Sequence, residues 1–162
     1  MPIRAGIAYV NAPDAVKSHF VRAVKAANQG TIAEWHRRYL KSHFTSQAFH
    51  RYAATYTPRS RQYNRWKLRK LGHRKPLVKT GATQRSTRMS IRLTGTSKSA
   101  KGRMHAPWYI NVNRHRRDGR RPMKNEEITA VTASEIQTLA QFHDRATTAQ
   151  LKKQKTQRRV QK

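Results

Sequence analysis

Hydrophobic and polar positions alternate most clearly in the second half of the chain. Two apolar runs of this kind stand at Met89, Ile91 and Leu93 and at Trp108, Ile110 and Val112. Residues 95–102, between them, are rich in Ser, Thr, Gly and Lys. Alternation places every second side chain on one face, as in a half-buried strand. We therefore predict a β-hairpin here, and a third short strand at residues 128–131.

Near the N-terminus, apolar residues recur at helical spacing instead. Val16, Phe20 and Val24 follow one another at i, i+4, and Asn11 can cap the helix that they predict. Residues 28–30, Asn-Gln-Gly, predict its end. Ahead of this helix, the alternation in residues 3–10 indicates either a strand or an extended arm.

Residues 31–52 predict two further helices. Thr31 and Glu34 have the spacing of a capping box for the first of them. Its apolar and aromatic face contains Ile32, Trp35, His36, Tyr39, Leu40 and His43. Thr45 can cap a second, short helix, which carries Ala48, Phe49 and Tyr52. We expect both faces to lie in the core.

The segment from Tyr56 to Gly81 is strongly cationic and contains no acid. Interleaved with its cations are Tyr63, Trp66, Leu68 and Leu71. Ser60 can cap the segment as a helix, and Gly72 can end that helix. We therefore predict a basic helix or arm that docks on a core and presents its charge outward.

The C-terminal part predicts one more helix. Thr132 and Glu135 form a second capping box, and apolar spacing carries the helix to about Leu151. Its inward residues are predicted to be Ile136, Leu139, Ala140, His143 and Ala146 or Thr147. Residues 152–162 are cationic with a single apolar residue, so we expect this tail to be ordered only by neighbours in an assembly.

Together these elements predict an α+β fold with N-terminal helices, a small antiparallel β-sheet, a C-terminal helix and extended basic termini. A length of 162 residues fits one domain. We assign residues 1–151 to a single α+β domain and residues 152–162 to a basic C-terminal tail. The predicted core contains Phe20, Val24, Trp35, Tyr39, Ile91, Leu93, Ile110, Ile136 and Leu139.

The charge of the chain indicates what kind of partner it binds. The chain has 36 Lys and Arg against 7 Asp and Glu, a formal net charge of +29, and no acid lies between Trp35 and Arg117. Such a surface repels itself unless an anion lies against it, so we expect nucleic acid or an acidic protein as partner. The candidate binding residues are Arg59, Arg61, Arg65, Lys67, Arg69, Lys70, Arg74, Lys75, Arg114, Arg116, Arg117, Arg120 and Arg121.

Other classes of function find little support in the residues. The acids form no acid/base pair, and the sequence contains neither a nucleophile elbow nor a P-loop, so we expect no enzyme and no cofactor. His36, His43 and His50 recur every seven residues, which disfavours one shared metal ion. Cysteine is absent, and no apolar run approaches the roughly 20 residues that span a bilayer.

Three stretches resemble the neck and tail-completion proteins, or head-tail connectors, of tailed bacteriophages. The first is His43-Phe44 followed by residues 56–63, with the pair Arg59-Ser60. The second is residues 68–81, where Pro-Leu-Val-x-x-Gly precedes the predicted hairpin. The third is residues 126–132, which lead into the last helix.

The resemblance implies a structural protein without enzymatic activity that forms a homo-oligomeric ring, of about six or twelve copies, in the virion neck. Such rings are assembled in the host cytoplasm and join head and tail between the portal or adaptor and the tail tube, with genomic DNA along their axis. Surfaces that line such channels are often acidic. A basic member is therefore expected to hold DNA or to face an acidic neighbouring ring. A ribosomal or other RNA-binding structural protein is the alternative that size and charge also fit.

Overall fold

One long helix takes the place of the first two predicted helices. The computed structural model describes residues 14–56, 59–89, 91–107, 110 and 124–160, with side chains only from residue 16 to residue 153. Helix α1 runs without a break over Asp14–Arg38. The end predicted at residues 28–30 is therefore wrong, and the predicted cap Asn11 and strand or arm at residues 3–10 lie outside the described residues.

The continuity of α1 has a local explanation. The Thr31 hydroxyl, predicted to cap a new helix, donates to the Ala27 carbonyl oxygen at 2.9 Å, one turn back in the same helix. Gly30 is tolerated inside α1 at a cost of roughly 1 kcal/mol relative to Ala. The buried stripe of this part of α1 is made by Ala23 and Ala27, whereas Val16 is 47% exposed. Small residues, which hydrophobicity patterns weigh lightly, therefore define its inner face.

The remaining elements alternate short helices with one hairpin. In chain order they are a 3-10 helix over Leu40–Phe44, α2 over Ala48–Arg51, α3 over Arg61–Leu71, α4 over Ala82–Met89, β1 over Ile91–Gly95, β2 over Ala100–Met104, α5 over Lys124–Thr129 and α6 over Ala133–Val160. The two strands pair as a small antiparallel sheet, and helices stand at both ends of the described chain. This confirms the predicted α+β class.

The hairpin exists, but its second strand was predicted too far along the chain. The Thr96 N–H donates to the Ser99 carbonyl at 2.6 Å and closes a tight turn, so β2 begins at Ala100. A Cβ on Gly95 would lie 3.0 Å from the Ala100 Cβ, so a larger residue there would require Ala100 to shift by a few tenths of an ångström. The prediction missed β2 because its cations and glycine hide the alternation, and Trp108 and Val112 lie outside the described residues. Met89 is 81% exposed and ends α4 instead of beginning β1.

Two helices were not predicted. The inner face of α4 is polar, with buried Thr83 and Thr87, and the Thr87 hydroxyl donates to the Thr83 carbonyl at 2.8 Å. Residues 128–131, predicted as a strand, include instead the end of α5. Two acids in the first turn of α5, Glu126 and Glu127, favour a helix start through the helix dipole.

The described chain divides into two compact units. The first combines residues up to Trp35, Arg92–Arg103 and residues from Gln137 onward. Within it, the Asn28 amide donates to the carbonyl oxygens of Thr96 and Ser97 at 3.1 and 3.2 Å. His143 Nε2 lies 3.0 Å from Asn28 Oδ1 and orients that amide.

The second unit comprises His36–Ile91 and Met104–Ile136. Helices α2, α4 and α5 pack against the 3-10 helix at its centre. Its buried hydrophobic residues include Tyr39, Leu40, Phe44, Ala48, Tyr52, Tyr56, Val78, Ile110, Ile128 and Ala130. Ala48 and Tyr52 lie on the predicted short helix and its C-cap, although Gln47 rather than Thr45 is the N-cap position.

The predicted core is confirmed in part. Trp35, Tyr39 and Ile110 are buried, and the partly buried members are Phe20, Val24, Ile91, Leu93 and Leu139. Ile136 is 41% exposed, so its assignment to the core is wrong, and Ala140 is exposed as well. Glu135, 1% exposed, takes the inward position at the start of α6, which turns the next residue toward solvent.

Helix α6 continues past Leu151, where it was predicted to end, to Val160. The added residues are mostly Lys, Gln and Arg, which have good helix propensity, and none is Gly or Pro. That neighbours in an assembly order the tail stays a prediction.

Candidate anionic-partner surface on helix α3

Both ends of α3 are fixed by the residues that were predicted to fix them. Ser60 Oγ accepts a hydrogen bond from the Tyr63 N–H at 3.2 Å, which caps the N-terminus. Gly72 adopts a left-handed conformation with φ 68°, and its N–H donates to the Leu68 carbonyl at 2.9 Å. These contacts confirm the predicted helix and set which of its side chains face outward.

Three arginines form a ridge along the solvent side of α3. Arg61, Arg65 and Arg69 follow one another at i, i+4 and are all exposed. Leu68, 43% exposed, borders this ridge. Helix α3 contains no acid, so the ridge has no carboxylate on its own helix. We call Arg61, Arg65 and Arg69 the α3 ridge.

Lys67 belongs to the opposite side of the same helix. Its side chain is only 3% exposed, and its ammonium donates to the Lys75 carbonyl oxygen. The ammonium also lies 5.8 Å from the centre of the Tyr63 ring. Burial lowers the pKa of Lys67, and the positive charge of Arg59 lowers it further. Lys67 therefore stabilises the connection that follows α3 and is not part of the α3 ridge.

Arg59 is also occupied within the fold. Its guanidinium lies 2.5 Å from Glu127 Oε2, and the Glu127 side chain is 1% exposed. Arg59 thus links the start of the basic segment to α5. Of the other candidates, Lys70, Arg74 and Lys75 are exposed, while Arg114, Arg116, Arg117, Arg120 and Arg121 lie outside the described residues.

The aromatic residues of α3 pack together. The ring centroids of Tyr63 and Trp66 are 5.6 Å apart, and the Lys79 ammonium lies 5.9 Å from the Trp66 ring. Trp66 is partly buried, whereas Tyr63 is 40% exposed. Of this pair, Tyr63 is the better placed to stack on a ligand.

Sequence reasoning missed a buried polar network in the second unit. The carboxylate of Glu135 accepts from Arg51 Nε at 3.0 Å, from an Arg51 terminal nitrogen at 2.7 Å and from the Tyr52 hydroxyl at 2.8 Å. Its second oxygen accepts from the Thr132 N–H at 3.1 Å, and the Glu135 N–H donates to the Thr132 hydroxyl at 3.2 Å. The predicted capping box is therefore confirmed, and one of its members is also a buried ion-pair partner.

His43 connects this network to Glu127. Its ring stacks on Tyr52 with 4.0 Å between centroids and an 11° angle, and its Nδ1 lies 2.9 Å from the Glu127 carbonyl oxygen. A carbonyl can only accept, so Nδ1 carries the proton. Burial lowers the pKa of His43 to about 4, against the opposing effects of the Glu127 carbonyl and the Glu135 charge. Burial also raises the pKa of Tyr56, whose hydroxyl lies 3.2 Å from the His43 carbonyl.

The three regularly spaced histidines lie in different environments. His36 Nε2 lies 2.7 Å from the Thr87 carbonyl, His43 is buried and His50 is exposed. Across the part of the chain that the structure describes, no group of three His, Cys, Asp or Glu side chains could hold a metal ion. Among the same residues, no helix is both long and apolar enough to cross a membrane.

Comparison of the chain with protein-family models, with curated proteins and with solved structures gives no match.

Proposed function

We propose that this chain is a structural virion protein of the tailed-phage neck, forming a ring at the head-to-tail junction. Its α3 ridge contacts an anionic partner in that assembly. The observation that carries the proposal is the ridge itself: three exposed arginines, one turn apart, on a helix capped at both ends. The neck assignment rests in addition on the sequence resemblance in residues 43–44, 56–63, 68–81 and 126–132.

The charge of the ridge makes an anion favourable there. Like charges at i, i+4 destabilise a helix by about 0.2–0.5 kcal/mol per pair, and α3 has two such pairs, Arg61–Arg65 and Arg65–Arg69, with no acid to offset them. A row of phosphates or carboxylates removes that cost and gains charge-assisted hydrogen bonds. DNA in the neck channel supplies the first kind of anion, and an acidic neighbouring ring supplies the second.

The salt dependence of DNA binding tests the ridge. The variant Arg61→Gln, Arg65→Gln and Arg69→Gln is compared with Lys17→Gln, Arg22→Gln and Lys25→Gln, which removes three exposed cations from α1. Each lost phosphate contact makes the slope of log K against log salt shallower by about 0.9 on duplex DNA. We expect the ridge variant to show this loss and the α1 variant to retain the original slope. An unchanged slope in the ridge variant would instead assign the ridge to an acidic protein.

The neck assignment has its own test. Light scattering of the purified chain, and imaging of intact particles, should give a ring of about six or twelve copies. A single copy bound to folded RNA would overturn the neck assignment and favour the ribosomal or RNA-binding alternative.

A further inference from the structure

A second basic surface lies on the β1–β2 hairpin, outside every candidate residue considered above. The Thr96–Ser99 hydrogen bond that closes the turn sets the strand register. It places Arg92 opposite Arg103 and Thr94 opposite Lys101, with Lys98 in the turn. Arg92, Thr94, Lys101 and Arg103 are exposed, and they alternate with the partly buried Ile91, Leu93, Ala100 and Met104. We call Arg92, Lys101 and Arg103 the hairpin face.

The hairpin face has an unfavourable arrangement in the free protein. Directly opposed residues of antiparallel strands have Cβ atoms about 5 Å apart, and like charges at that distance destabilise the pair. Residues 91–104 contain no acid. Within the described residues, no carboxylate forms an ion pair with any of these three cations. An anion between Arg92 and Arg103 would relieve their repulsion.

The hairpin is also held in place for contact. Asn28 donates to two carbonyl oxygens at its tip, and His143 orients that asparagine. The Thr96 hydroxyl accepts from the N–H groups of Lys98 and Ser99 at 3.2 and 3.1 Å, which fixes the turn. A surface ordered before binding loses less conformational entropy when it binds.

We infer that the hairpin face binds the phosphate backbone of nucleic acid. Its exposed side chains are three cations and one hydroxyl, with no apolar side chain among them. The centre of a protein–protein interface is depleted in charge and enriched in apolar and aromatic residues, so this face is poorly suited to a protein partner. Phosphates need only donors and positive charge, and a two-stranded ribbon of this width fits the major groove of DNA.

The inference goes beyond the neck assignment and does not rest on it. It is also independent of the α3 ridge, because Arg92, Lys101 and Arg103 belong to the first compact unit and α3 to the second. Variants of the two surfaces therefore fail or succeed separately.

The test measures the binding of the full chain to a short duplex DNA of mixed sequence. Fluorescence anisotropy gives the binding constant K over a range of salt concentrations. The variant Arg92→Gln, Lys101→Gln and Arg103→Gln is compared with the same α1 control, which lies in the same compact unit. Three lost phosphate contacts make the slope shallower by about 2.7 and weaken binding by about 500-fold at 0.1 M salt. The α1 control should keep its slope.

A second variant guards against a folding defect. Arg92→Lys with Arg103→Lys preserves the charge, so it should retain the slope of the unaltered chain. The inference is overturned if the hairpin variant and the α1 control lose slope equally, because binding would then follow net charge alone. It is also overturned if the hairpin variant keeps its DNA slope but loses affinity for polyglutamate, which would identify an acidic protein as the partner.

Discussion

Arginine serves opposite purposes in two regions of the second unit. Around Glu127 and Glu135, the guanidinium groups of Arg59 and Arg51 close on carboxylates that are 1% exposed. On the α3 ridge, arginines face solvent along a helix without an acid. The comparison shows that a cation's place in the fold, and not the charge of its segment, decides whether it is available to a partner.

The scarcity of acids sharpens this contrast. Of the seven acids in the chain, Glu127 and Glu135 are buried in the second unit and form ion pairs with Arg59 and Arg51. The carboxylates are desolvated whereas Arg51 and Arg59 are partly exposed. Losing an arginine therefore costs more than the pair contributes, and losing a carboxylate leaves buried donors such as the Tyr52 hydroxyl without an acceptor. The buried network should therefore control stability, while the exposed ridge should control binding.

The largest expected effect is a loss of stability when the buried network around Glu135 is altered. Glu135→Gln keeps the shape of the side chain but removes the charge that Arg51 and Tyr52 contact. We expect it to lower the free energy of unfolding by about 3 kcal/mol, measured by urea denaturation, because the Gln amide nitrogen would face donors where a carboxylate oxygen accepts from them. Asp144→Asn, at an exposed position of the same helix, is the matched control and should change stability by less than about 0.5 kcal/mol. A loss below about 1 kcal/mol for Glu135→Gln would show that the network does not control stability.

The next largest effect is a dependence of stability on pH, caused by the buried His43. Its pKa is about 4 in the fold and 6.5 ordinarily, so the unfolded chain binds more protons between these values. Stability should therefore fall as pH drops from 6.5 to 4, by about 3 kcal/mol in total. Arg51, Glu135 and the two tyrosines are the charged and titratable groups around this ring.

Urea denaturation at a series of pH values measures this slope. His43→Phe keeps an aromatic ring against Tyr52 and should flatten the slope by about one proton, although it also loses the hydrogen bond to the Glu127 carbonyl. His50→Gln removes an exposed histidine instead and should retain the slope. If His43→Phe leaves the pH dependence intact, another group is responsible for it.

The sequence correctly predicts those features of this molecule that depend only on residues close to each other in the chain. The caps at Ser60, Gly72 and Thr132 depend on neighbours within a few residues, and the structure confirms all three. The extent of α1 and the start of β2 depend on long-range packing, which no short window contains. Glu135 shows the limit well: its capping role follows from spacing, whereas Arg51 reaches it from a position 84 residues earlier in the chain.

The candidate binding residues also differ in how far local sequence predicts their position. Spacing alone predicts that Arg61, Arg65 and Arg69 share one face of a helix. Spacing also puts Lys67, two residues from Arg65, on another side of the helix. Its burial and its contact with the Lys75 carbonyl depend on the chain that follows α3 and are seen only in the fold. Composition treats all these cations alike, and only the fold separates them.

The smallest effects are expected for two single variants, Lys67→Met and Arg65→Met. Comparing them tests most directly whether a buried and an exposed cation of the same helix differ in their availability to a partner. Lys67→Met removes a desolvated charge and keeps most of its packing, while the exposed Lys75 segment can bind water at the released carbonyl. These effects oppose each other, so stability should change by about 1 kcal/mol or less. The slope of log K against log salt for duplex DNA should stay unchanged, because the ammonium does not reach a partner.

Arg65→Met should show the opposite result. Stability should stay within about 0.5 kcal/mol of the unaltered chain, because the side chain is exposed. The salt slope should become shallower by about 0.9, the value of one phosphate contact. Both variants lose one positive charge from one helix, so net charge cannot explain a difference between them. If Lys67→Met reduces the slope as much as Arg65→Met does, the buried lysine turns outward on binding, and its place in the fold does not decide its availability.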